Sequence, residues 1–129
     1  MAYTQKQIDK FMRQKYISEL DKVAKNIFRM LRNENMIAKK FTDKLHELKV
    51  KLDKKATVSL YSEYHQQLQS YISRLHEGTC LNEAFTEKNF EDMRDAEMSN
   101  LNRLQKLKNA TSYKKDKHKS KRQNEDWGE

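Results

Sequence analysis

Proline is absent from all 129 residues of this chain, and glycine occurs only twice, at Gly78 and Gly128. Turn-rich β sandwiches and barrels need frequent Gly and Pro punctuation, so the chain is steered towards packed helices with few sharp reversals. A single cysteine, Cys80, excludes a disulfide framework within the chain. The length suits one domain. Leu, Ile, Val and Phe together number 25, against 36% charged residues and a net charge of +8. That composition sits at the margin between folded and disordered chains. All 25 fall within residues 1–110, which predicts a thin-cored helical domain over 1–110 and a disordered basic tail over 111–129.

Apolar spacing divides the domain into helices. Thr4 and Gln7 stand three apart in the pattern of a capping box. Ile8, Met12, Tyr16, Leu20, Val23, Ile27 and Leu31 then recur on one helical face and predict a helix over 4–33. Asn33, Glu34 and Asn35 are expected to end it and to cap a second helix over 35–53, which carries Ile37, Phe41, Leu45, Leu48 and Leu52. The two stripes lie close in phase, so one unbroken helix of about 50 residues is the competing arrangement. A third stripe, Tyr61, Tyr64, Leu68, Tyr71 and Leu75, advances by 3, 4, 3 and 4 residues in the manner of a heptad. It predicts a helix over 57–77, with Gly78 as a left-handed C-terminal cap. The fourth helix, over 83–109, carries Phe90, Met93, Leu101, Leu104 and Leu107. The expected fold is all-α: an elongated three- or four-helix bundle or helical hairpin with coiled-coil-like packing. So thin a core would bury more apolar surface as a homodimer.

Charge is segregated along the chain. Residues 1–55 carry 15 basic and 7 acidic side chains, 56–102 carry 3 and 8, 103–122 carry 9 and 1, and 123–129 carry three acids and no base. Basic zones attract polyanions, because each Lys or Arg beside a phosphate releases a condensed counterion. On the first helix Lys15, Lys22, Lys25, Arg29 and Arg32 gather opposite the apolar stripe. The tail adds Lys114, Lys115, Lys117, Lys119, Lys121 and Arg122. These are the candidate nucleic-acid-binding residues. No zinc-finger spacing, aromatic RNP motif or Gly-bearing helix-turn-helix accompanies them, so DNA or RNA would be bound with low sequence preference. The acids Glu83, Glu87, Glu91, Asp92, Asp95 and Glu97 compete for the same cations, within the chain or between copies.

Tyr61, Tyr64 and Tyr71 read first as core or interface residues and second as a partner-binding surface. Trp127, flanked by Glu125, Asp126 and Glu129, reads as a docking motif for a basic, apolar pocket, or as a cover for the cations at 114–122.

Catalytic and metal chemistry find no support. His46, His65, His76 and His118 are dispersed, whereas a structural zinc site wants paired short spacings. His76 and Cys80 stand four apart, but Gly78 is expected to break the helix that would align them. The acids between 91 and 97 read as a solvated face without the walls that a catalytic pair needs. No Gly-rich phosphate loop exists, and no cofactor is expected. No stretch approaches the roughly 20 apolar residues that span a bilayer, and the first residues lack the apolar core of a signal peptide. These features predict a cytoplasmic, non-enzymatic, nucleic-acid-associated accessory protein of the kind that phages and plasmids encode. The rival is a protein-binding regulator: an inhibitor, adaptor or assembly chaperone acting through helical contacts.

Overall fold

Thr4 opens the first helix by the mechanism its spacing to Gln7 foretells. In the computed structural model, which describes residues 4–55 and 60–110, the Gln7 backbone N–H donates to the Thr4 hydroxyl at 3.2 Å. The Thr4 N–H donates in turn to Gln7 Oε1 at 3.0 Å. Helix α1 then spans Gln5–Arg32, α2 Ala38–Asp53, α3 Glu63–Thr79 and α4 Glu87–Ala110. Among the described residues there is no strand. The fold is an all-α four-helix bundle in which each helix packs against the other three. Residues 111–129, assigned above to a basic tail, lie outside the described residues, as do 1–3 and 56–59.

The apolar stripes meet at the centre. Leu20, Val23 and Ile27 of α1, Phe41 and Leu45 of α2, Ile72 of α3 and Phe90 of α4 are wholly buried. Each such side chain contributes roughly 1.5–3 kcal/mol of transfer free energy. Phe41 and Phe90 pack as tilted rings with centroids 5.0 Å apart, tying α2 to the first turn of α4. At the other end of α1, Ile8, Phe11 and Met12 stay exposed, so the first two turns of that stripe lie beyond the core.

The bend between α1 and α2 is the most distinctive joint. Their stripes are nearly in phase, yet the helix stops at Arg32 and the competing single rod does not form. Two side chains of α4 hold the break. Arg94 donates from Nε and Nη2 to the Leu31 carbonyl at 3.1 and 2.9 Å, and from Nη2 to the Asn33 carbonyl. Those carbonyls belong to the end of α1, where intrahelical donors run out. Glu87 Oε1 accepts from the Ala38 N–H at 2.7 Å, capping α2 from a distance of 49 residues. Ile37, at the N-cap of α2, makes no side-chain cap of its own. The second helix therefore begins at Ala38, three residues later than the Asn-rich turn suggests.

Gly78 departs from expectation. It lies inside α3, which continues to Thr79, and the C-cap residue Cys80 has right-handed helical backbone angles. The reversal that follows is built by Asn82, which donates from Nδ2 to the Gly78 carbonyl at 3.1 Å and accepts from the Ala84 N–H at 3.0 Å. Thr86 then opens α4, its hydroxyl accepting from the Asn89 N–H while Asn89 Oδ1 accepts from the Thr86 N–H. Helix α3 starts at Glu63 rather than near 57, because Leu60 and Ser62 sink into the core ahead of it. No helix among the described residues is long and apolar enough to cross a membrane.

Candidate functional site

Helix α1 buries Tyr16, Leu20, Val23, Ile27 and Leu31, and this turns the opposite side of the cylinder outward. Lys15, Lys22, Lys25, Arg29 and Arg32 are all exposed on it. At 1.5 Å per residue they extend over about 25 Å. None of the five makes an ion pair among the described residues. The other basic stretch of the N-terminal half behaves differently. On α2, Lys39 pairs with Asp43 at 3.3 Å, Lys44 with Glu47 at 3.3 Å and Lys49 with Asp53 at 2.8 Å. These are contacts one helical turn apart, and they engage three of the five lysines of α2 with its own acids, leaving Lys40 and Lys51 outside those pairs.

The acidic zone is likewise occupied locally. Asp92 takes Lys88 at 3.4 Å, Glu91 takes Arg94 at 3.1 Å, Glu87 caps α2, and Glu97 accepts from the Tyr71 hydroxyl at 2.9 Å. Glu91, Asp92 and Asp95 stay exposed, as a solvated face requires, while Glu87 and half-buried Glu97 also make contacts to other helices.

Antiparallel packing of α4 against α1 opens a groove of about 500 Å³. Lys25, Phe28, Arg29 and Arg32 form the α1 wall, Tyr64 and Leu68 the α3 floor, and Leu101, Leu104 and Lys108 the α4 wall. The floor is apolar and aromatic, while the rim is cationic on both sides, with Asp21 at one end. Arg32 lies 5.7 Å from the Phe28 ring centroid, and Lys108 Nζ 5.7 Å from that of Tyr64. Three of the five predicted α1 cations therefore edge one concavity, and Lys15 and Lys22 continue the stripe beyond it. The tail cations Lys114, Lys115, Lys117, Lys119, Lys121 and Arg122, and Trp127, lie outside the described residues.

The tyrosines separate. Tyr64 and Tyr71 are 3% and 5% exposed and belong to the core, so neither offers its ring as an open surface. Burial pushes the Tyr71 hydroxyl far above its usual range, with the Glu97 carboxylate adding to the effect. Tyr16 is raised for the same first reason, and its hydroxyl accepts from Gln69 Nε2 at 2.6 Å. Tyr61 is 48% exposed, with the Arg13 guanidinium 4.6 Å from its ring centroid.

Sequence reasoning missed one close pair. His46 Nδ1 of α2 and His76 Nε2 of α3 lie 2.9 Å apart, and their rings stack at 5.2 Å. Burial, then Lys49 and His46, hold His76 below its ordinary value. Cys80 Sγ donates to the Thr42 carbonyl at 3.2 Å, and burial raises its pKa, so it is no activated thiol. No group of three or more metal-ligating side chains occurs among the described residues. No protein-family model, curated protein or solved structure matches the chain.

Proposed function

We propose that this chain is a small, non-enzymatic, nucleic-acid-associated accessory protein acting in the cytoplasm, of the kind carried by phages and plasmids. It binds DNA or RNA through the outer face of α1, with the cations at 114–122 as a second electrostatic arm. One observation carries the reading: five exposed cations align over about 25 Å, with no carboxylate partner among the described residues. Phosphates satisfy such a row by counterion release, which requires no base contact. No described element supplies an edge-reading motif, so sequence preference is low. A homodimer would double the charged face.

Retention on random duplex and single strands at about 50–100 mM salt is the test. Log affinity should fall linearly with log salt, by roughly 0.9 per duplex phosphate neutralised. The double substitution Lys22→Gln, Arg29→Gln should reduce that slope by about two units. Absence of retention on either strand type would end the proposal.

The groove favours a second reading, a protein-binding regulator. A cationic rim over an aromatic floor suits an acidic amphipathic segment of a partner. Capture from lysate with and without nuclease separates the two: a stoichiometric protein that persists after nuclease treatment belongs to this second reading.

A further inference from the structure

We propose that the groove between α1, α3 and α4 is the docking site for the chain's own segment 123–129. Trp127 would rest on the apolar floor, with Glu125 and Asp126 against the α1 cations. Chemistry is the first argument. The floor presents half-buried Phe28 over the buried Tyr64 and Leu68, and beside Asp21 the rim presents Lys25, Arg29 and Arg32, none of which has an ion-pair partner among the described residues. A large aromatic anchor flanked by carboxylates matches both features at once. Of all residues outside the described ones, only 123–129 combine net negative charge with a large aromatic. The stretch 111–122 carries six cations and would be repelled by the same rim.

Connectivity is the second argument. Lys108 stands on the α4 wall of the groove, and α4 ends at Ala110, so the chain leaves the bundle beside the site. Seventeen steps from Ala110 to Trp127 reach at most about 60 Å, ample for a return to the floor. Tethering places the segment at an effective concentration of order millimolar, which populates a contact too weak to form between separate molecules. Docking would cover Lys25, Arg29 and Arg32, three of the five cations on the α1 face. A polyanion and the segment would then compete for them. That competition rests on the nucleic-acid reading, whereas the docking does not.

Trp127 is the only tryptophan in the chain and so reports its own surroundings. The experiment is fluorescence of the full-length chain at low salt without nucleic acid, beside a synthetic peptide of residues 123–129. The expected result is an emission maximum to the blue of the peptide's and a lower acrylamide quenching constant. Both differences should disappear in the Lys25→Glu, Arg29→Glu variant. They should weaken in Glu125→Gln, Asp126→Asn, which leaves the bundle untouched. Circular dichroism checks that the first variant keeps its helices, as exposed positions allow.

Emission identical to the peptide's overturns the proposal. So does a blue shift that survives reversal of the α1 cations. A shift abolished by Lys119→Glu, Lys121→Glu but not by the groove variant would place the segment on the neighbouring basic stretch, and a shift that fades on dilution would place it in a second copy. Because no polyanion is present, failure here leaves the salt-slope test of nucleic-acid binding standing, and the reverse also holds.

Discussion

Two imidazoles joined by one hydrogen bond need one ring to keep an unprotonated nitrogen as the acceptor. In the His46–His76 contact one ring donates and the other accepts, and a doubly protonated pair loses its acceptor. Burial is the largest influence on His76 and disfavours its charged form; Lys49 and His46 add to this, while Asp53 and Glu77 offset part of it. His76 is therefore held below 6.5 in the folded state. The unfolded chain binds that proton first as pH falls, so stability is fully present above pH 6.5 and declines below it. Urea midpoints measured across that range should drop with acidity, and His76→Gln should flatten the drop. Gly78 provides a second test. It is helical, and a Cβ added there would meet nothing within 4 Å. Glycine inside a helix costs entropy that alanine does not, so Gly78→Ala should raise stability by about 0.5–1 kcal/mol in urea unfolding. A positive-φ cap would give the opposite sign.

At the scale of elements, the starts of α2, α3 and α4 were hidden from sequence reasoning, while the middles of the helices and both ends of α1 were not. Spacing placed Leu20, Phe41, Leu68 and Leu104 on buried faces because periodicity records which side meets the core. Where a helix stops depends on which donor or acceptor reaches its last free backbone groups, and here those come from far along the chain. Arg94 closes α1 from 63 residues away, and Glu87 opens α2 from 49. Arg94 also lies with its guanidinium 5.1 Å from the Phe90 ring centroid. Removing it strands the Leu31 and Asn33 carbonyls, so Arg94→Ala should cost about 2–3 kcal/mol in chemical unfolding, with charged hydrogen bonds as the main loss. Arg94→Lys should restore only part of that, because an ammonium lacks the planar fork that spans two carbonyls. Gly78 misled for a related reason: a glycine at the end of a stripe resembles a cap, but Asn82 makes the turn instead.

For the whole molecule, what was legible was the all-α class, the four helices and the basic face, all of which are properties of composition and period. The groove was not, since its walls come from three helices and its existence depends on how α4 lies across α1. The histidine pair was not, since nothing in a linear string brings position 46 to position 76. The separation of charge was legible only in bulk. Counting gave residues 1–55 one net value, whereas folding pairs three of the five α2 lysines with acids a turn away and leaves the five outer cations of α1 without such pairs among the described residues. The joint between α1 and α2 carries a consequence for how the molecule is made. The ribosome adds both of the first two helices before Glu87 and Arg94, so the N-terminal half is made before the clasp for its bend. The bend between the first two helices is clasped only once the fourth is in place.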